Sequence, residues 1–124
     1  NEFYRITNKN YLFFSYIARN LNLKQPIVEA QNEFIVSPRF SLILKRKNIR
    51  HAVDLGYSRN IEVGFWFNDA PPKWNIKYAR VVSSSNASEI SRSIINLPCH
   101  WTLSENEISK ISCFMYELSL IEGQ

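Results

Sequence analysis

Cys99, Cys113, His51 and His100 are the only thiol and imidazole groups in the 124-residue chain, so they bound the nucleophilic and soft-metal chemistry open to it. Cys99 and His100 are adjacent, just after a short apolar run. A thiolate–imidazole catalyst needs both side chains to converge on one reacting atom. Neighbouring side chains after a strand diverge, so the pair does not read as a Cys–His enzyme. Cys113 falls in a helical stretch near its apolar face and reads as a small core residue. No C-x-x-C or H-x-x-x-H spacing links the four, and no metal site is expected. Paired-carboxylate chemistry has little to draw on. There are two aspartates, Asp54 and Asp69, and the nine glutamates sit mostly in helix termini, where caps and solvated faces account for them.

Two other groupings carry more information. Lys45-Arg46-Lys47 lies at a strand end that leads into a helix. Cationic side chains and a helix N-terminus both favour phosphate, so an anion site is one reading and a solvated turn is the other. Phe65-Trp66-Phe67-Asn68-Asp69 places three aromatics in a row at a strand end. Successive residues of a strand point to opposite faces, so Trp66 must turn away from the core, toward a helix, a partner or a ligand. Trp74, beside Pro71-Pro72, and Trp101, after Pro98, invite the same reading: exposed tryptophans close together make a contact surface.

Periodicity supplies the elements that must hold these residues. Residues 2–21 form a helix, with Phe3, Ile6, Phe13, Ile17 and Leu21 near one stripe. Pro26 stops its continuation. A strand runs from Arg39 to Lys45, with Phe40, Leu42 and Leu44 alternating inward. Asn48 caps a short helix to Ser58 whose buried face is Ile49, Ala52, Val53 and Tyr57, and Asn60 suits a left-handed stop. Ile61–Phe67 is a strand with Ile61, Val63, Phe65 and Phe67 on one side. An irregular loop over 68–75 precedes a helix near 86–93, where Asn86 and Glu89 resemble a capping box. Ile94–Leu97 is a strand stopped by Pro98. The last helix has the strongest local signature: Ser104 at the N-cap, Glu107 completing the box, Leu103 stapling onto Ile108, and a stripe of Ile108, Ile111, Met115 and Leu118 ahead of Gly123.

Composition agrees with one globular domain. The chain is 45% hydrophobic and 21% charged, with 14% aromatics and three glycines, which excludes disorder and glycine-rich phosphate loops. No apolar run approaches the roughly 18 residues a membrane helix needs, and no secretory signal pattern opens the chain. Two cysteines make no disulfide framework, so both are expected as reduced thiols and the compartment as cytoplasmic. The Asn86-Ala87-Ser88 sequon is then a chance match. A net charge of +4 permits nucleic-acid binding, but the basic residues are dispersed along the chain. The first residue is Asn1 rather than Met, which fits a processed or truncated product.

Several segments in order resemble the DegT/DnrJ/EryC1/StrS family of pyridoxal-phosphate-dependent sugar aminotransferases. Asn96-Leu97-Pro98-Cys99-His100-Trp101 with Leu103-Ser104-Glu105-Asn106-Glu107-Ile108 is similar to that family's LP-x-H-x-x-L-(S/T)-x-x-(E/D) ending. Arg39–Lys45 resembles its small-domain strand, and Asn60–Phe67 its G-I-x-x-G-x-x-(Y/W) segment. Arg5 with Asn10-Tyr11-Leu12 resembles the helix joining its large and small domains. Where the family usually has His-Tyr-Pro this chain has Phe65-Trp66-Phe67, where it has Pro after the motif histidine this chain has Trp101, and its helix-ending glycine is Asn60. These departures imply an atypical branch.

The resemblance implies a two-layer α+β domain, a small, mainly antiparallel sheet of about three strands covered by helices. It implies a linking helix over 2–21 and a small domain over 34–124, together the C-terminal part of a larger enzyme. By that resemblance the enzyme would use pyridoxal phosphate, act on a nucleotide-linked keto-sugar, and pair as a homodimer. Trp66, Phe67, Asn68, His100 and Trp101 would wall the cleft. The family's cofactor lysine lies in its large domain, and none of the seven lysines here sits in a similar context, so this chain alone is expected to bind no cofactor. Two other readings stay open: a non-catalytic interaction domain derived from the family, and a basic, aromatic nucleic-acid-binding module.

Overall fold

A computed structural model describes residues 2–26, 38–45, 49–65 and 93–123. Its elements are α1 (Glu2–Asn20), β1 (Arg39–Ile43), α2 (Ile49–Ser58), β2 (Gly64–Phe65), β3 (Ile94–Pro98) and α3 (Glu105–Glu122). The three strands form one antiparallel sheet in the order β1-β3-β2. This is the α+β architecture expected from the sequence.

β3 is the centre of the sheet. Phe40 stands opposite Leu97 and Leu42 opposite Ile95 on one flank, and Gly64 opposite Asn96 on the other. Ile94, Ile95, Asn96 and Leu97 are all buried, as a strand with two neighbours and covered faces requires. Phe40, Leu42, Ile95 and Leu97 meet Phe14 and Ala18 of α1 and Ile111, Phe114, Met115 and Leu118 of α3 in one core. Phe14 and Tyr11 pack their rings on Phe40, at 5.9 and 5.3 Å between centroids.

The two described helices that precede strands stop in the same way. Asn22 and Asn60 each take a left-handed backbone with φ of 57°. After α1, Leu23 N–H donates to Ala18 C=O and Asn22 N–H to Arg19 C=O. After α2, Ile61 N–H donates to Gly56 C=O and Asn60 N–H to Tyr57 C=O. This paired bonding satisfies the last carbonyls of each helix, and the following residue, Leu23 or Ile61, drops into the core. The returning chain presses against α2: a Cβ at Gly56 would lie 2.2 Å from Val63 Cγ2. α3 begins with the expected box, the Ser104 side chain accepting from Glu107 N–H and the Glu107 carboxylate accepting from Ser104 N–H. Arg59, just past the end of α2, donates two hydrogen bonds to the Glu117 carboxylate of α3, at 3.1 and 3.2 Å.

Four expectations about faces are corrected. The inward face of α1 is Thr7, Asn10, Phe14, Ser15 and Ala18, while Phe3 and Phe13 of the expected stripe are exposed. The small Ala18 and the hydrogen-bonded Asn10 and Ser15 let the helix approach the sheet more closely than a Phe–Ile stripe would. Tyr57 is 83% exposed, because the tight contact at Gly56 holds that turn of α2 against Val63 and leaves its neighbour outside. Phe65 is 47% exposed although Ile61 and Val63 are buried, since it ends β2, an edge strand of the sheet. Cys113 is exposed, displaced from the core by Phe114. The expected loop over 68–75 and most of the helix near 86–93 lie outside the described residues.

Ile111, Phe114, Met115 and Leu118 each contribute about 1.5–3 kcal/mol by burial, a gross sum comparable to a typical net stability of about 5–15 kcal/mol. A chain truncated before Ser104 should therefore show no cooperative urea transition by circular dichroism. Gly56→Ala should lower the stability of the whole chain by about 1–3 kcal/mol, because Val63 and the Ile61 carbonyl must move to admit the methyl group.

Candidate functional site

The residues that follow β3 form the best-positioned polar loop among those described. Cys99 N–H donates to Pro38 C=O at 3.0 Å, which fastens the loop to the start of β1. The His100 carbonyl accepts from Asn10 Nδ2 at 3.1 Å, which fastens it to α1. The His100 ring is half-buried and its Nδ1 shares a hydrogen bond with Thr102 Oγ1. Trp101 is 46% exposed and stacks on Phe3 with centroids 4.3 Å apart and planes tilted by 35°. Leu103 then leads into the Ser104 cap of α3.

Beside this loop an open cleft of about 370 Å³ runs between the first turns of α1 and the start of α3. Arg5, Lys9 and Asn10 line one side; Leu103 and Ile108 line the other. Glu2 and Arg5, one turn apart on α1, form an ion pair at 2.6 Å along its lining. Their hydrogen bond and mutual attraction hold the Glu2 carboxyl below its ordinary pKa and the Arg5 guanidinium above its own. The sequence offered no signal for this cleft beyond the i,i+3 spacing of Glu2 and Arg5, which every surface helix can show.

Of the residues expected to act together, His100 and Trp101 are on one loop, held by α1. Trp66, Phe67 and Asn68 lie outside the described residues, as do Trp74, Arg46 and Lys47. Lys45 is exposed, and its backbone N–H donates to the Glu122 carboxylate at the end of α3. A carboxylate thus already takes the backbone donor that an anion would use there.

Reactive chemistry is weak in the described part. Cys99 is fully buried, and that burial pushes its thiol up to about 12, with Arg39 pulling weakly the other way. A thiol so placed is no nucleophile near neutral pH. No group of three or more His, Cys, Asp or Glu side chains is placed to hold a metal among the described residues. No helix among them is long and apolar enough to cross a membrane. What remains is a surface suited to contact: a stacked aromatic pair, a histidine and an amphipathic cleft.

Known structures share this architecture. The chain superposes with a TM-score of 0.76 on a DegT DnrJ EryC1 StrS aminotransferase from Brucella abortus, over 99% of its own length and 32% of that chain, at 14% identity. It superposes with a TM-score of 0.75 on the sugar aminotransferase CalS13 from Micromonospora echinospora, over 94% of its length and 31% of that chain, at 10% identity. The fold is that of an aminotransferase-like domain. It makes up under a third of either neighbour. In sequence, 78 residues are 33% identical to a capsular polysaccharide phosphotransferase, LcbA, from Aeromonas hydrophila, covering 62% of this chain and 21% of that protein. The chain thus spans about a fifth of the curated relative it matches. No family model matches it.

At pH 8, iodoacetamide should label Cys113 rapidly and Cys99 only after unfolding, while both should titrate as thiols in denaturant without reductant; intact-mass analysis counts the adducts. Burial raises the folded-state pKa of Cys99 and, aided by Cys99, of Tyr11. The protonated forms are therefore favoured in the fold. Their contribution is complete below the unfolded pKa values and is lost as pH rises toward the folded ones. Urea melts should show stability falling from about pH 9 to pH 12, the window set by the Cys99 shift.

Proposed function

We propose that this chain is the C-terminal domain of a pyridoxal-phosphate-dependent aminotransferase acting on a keto-sugar, with a nucleotide-linked sugar as the substrate class. The observation that supports this most is the fold likeness over nearly the whole chain to two aminotransferases, one of them described as a sugar aminotransferase. The ordered Leu97-Pro98, His100 and Ser104–Glu107 pattern adds support, because these residues form the loop and cap that end the domain. In this reading the larger part of the enzyme carries the reaction and pairs as a homodimer. Trp66, Phe67, Asn68, His100 and Trp101 wall the substrate cleft, and Lys45, Arg46 and Lys47 offer cationic side chains to an anionic substrate group.

The described residues do not fit the cofactor. Lys9, Lys24, Lys45 and Lys110 are all exposed, so none provides the sheltered amine that pyridoxal phosphate requires. The role of this chain in catalysis is therefore to bind, orient and shield. Trp101 stacked on Phe3 supplies an aromatic wall, and the His100 ring, oriented by Thr102, offers a nitrogen to a sugar hydroxyl.

The match to a capsular polysaccharide phosphotransferase favours a second reading, in which the domain is a non-catalytic module carried by carbohydrate enzymes of more than one kind. One experiment separates the two. The gene is sequenced upstream of the Asn1 codon, and its product and the 124-residue chain are each incubated with pyridoxal phosphate, reduced with borohydride and mapped by mass spectrometry. The first reading expects one stoichiometrically labelled lysine upstream of Asn1 and none within the 124 residues. A longer product with no such lysine removes the aminotransferase reading; a single labelled lysine within the 124 residues removes the domain assignment.

A further inference from the structure

The cleft between the first turns of α1 and the start of α3 has an apolar lining and a polar edge. Ile6, Leu103 and Ile108 are half-buried and supply the apolar part; Leu103 and Ile108 pack against the core, so their positions are fixed. Arg5, Lys9 and Asn10 supply the polar part. Arg5 and Lys9 are four residues apart, as are Ile6 and Asn10, so each pair is a row of neighbours along α1. Two groups on this edge are uncommitted. Glu2 is paired with Arg5, whereas exposed Lys9 has no ion-pair partner among the described residues. Two cations against one carboxylate leave the lining with a net positive charge. Asn10 is only 5% exposed, and its Nδ2 donates to the His100 carbonyl, which fixes the amide. No donor among the described residues reaches its Oδ1. Among those residues no buried side-chain oxygen or nitrogen is sealed off without a partner, so this oxygen has an opening, and Asn10 lines the cleft. An acceptor held so deep without a partner needs an explanation.

We propose that this cleft binds a small apolar acid: a carboxylate that meets Lys9, an N–H or O–H on the neighbouring carbon that donates to Asn10 Oδ1, and an aliphatic side chain that lies on Ile6, Leu103 and Ile108. Each part of the ligand is selected by one observation. The net charge of the lining selects an anion, and the unpaired acceptor selects a donor beside it. The three half-buried aliphatic side chains select a branched apolar body, whose burial drives binding. The volume of about 370 Å³ lies at the small end of the range for ligand pockets, which suits one such molecule. The site is built from this chain's own residues, so it holds or fails separately from the aminotransferase reading.

The test titrates N-acetyl-L-leucine, which carries all three groups, into the isotope-labelled 124-residue chain and follows it by NMR. Saturable shifts should appear at the Asn10 side-chain amide and at the methyl groups of Leu103 and Ile108. N-acetyl-L-leucinamide, which lacks the charge, should bind about ten-fold or more weakly, and isocaproate, which lacks the N–H, about five-fold more weakly, because hydrogen bonds to charged groups exceed neutral ones. N-acetylglycine, which lacks the aliphatic side chain, should bind about five-fold or more weakly. Lys9→Gln should weaken N-acetyl-L-leucine by about ten-fold, and Lys9→Arg should restore it. Lys9 is exposed, so neither variant should alter the fold, and the spectrum without ligand checks this. Absence of saturation by about 50 mM, weaker than a ligand of this size binds in a formed pocket, overturns the proposal. Equal binding of the leucinamide, or full affinity in Lys9→Gln, overturns it as well, because the charge then plays no part. Saturable shifts confined to residues outside the cleft also overturn it.

Discussion

The burial of β3 on both flanks and both faces is the constraint on which the rest of the structure depends. Ile94, Ile95, Asn96 and Leu97 are withdrawn from water together, so their backbone groups must be paired with β1 and β2 and their side chains covered. On the face of Ile95 and Leu97 the cover comes from α1 and α3, through Phe14, Ala18, Phe114 and Met115. The one polar side chain in the strand, Asn96, accepts from Ser41 Oγ on β1, so its burial leaves no unsatisfied group. Because β3 cannot shift register without exposing that set, the residues just beyond it are placed as firmly as the core itself. His100 and Trp101 inherit their positions from Leu97 and Cys99.

How far this could be read in advance depended on whether a signal was local. The α3 cap was legible because Ser104 and Glu107 satisfy each other's backbone groups within one turn. The alternation of Phe40 and Leu42 was legible for the same reason: a strand's period is a property of its own backbone. Asn60 was legible as a left-handed stop because few residues tolerate that conformation. The orientation of α1 was not. Its large apolar residues are spread around most of its circumference, and the face that turns inward was chosen by partners outside the helix, the distant His100 carbonyl for Asn10 and Gln25, just past the helix end, for Ser15. Tyr57 was misplaced for a related reason, since the contact of Gly56 with Val63 exists only after the chain has turned back.

The candidate site was legible in part. His100 and Trp101 could be picked out because they follow a proline-terminated strand, where loops commonly present side chains. That Trp101 would stack on Phe3 could not be foreseen, because the two are 98 residues apart and meet only when α1 crosses the end of the sheet. The cleft between α1 and α3 was hidden for the same reason: Arg5 and Lys9 look like solvated helix residues until Leu103 and Ile108 are set opposite them.

These observations divide the labour between fold and chemistry. The one buried thiol is held protonated, the described lysines are exposed, and the histidine is oriented by a hydroxyl rather than by a carboxylate. The described residues offer contact surfaces: an aromatic pair at one end, an amphipathic cleft beside it, and exposed apolar side chains along α1. Fold likeness and sequence likeness point to different enzymes, aminotransferases in one case and a capsular polysaccharide phosphotransferase in the other. Fold alone does not assign a reaction, and the two likenesses are compatible if what is shared is the scaffold.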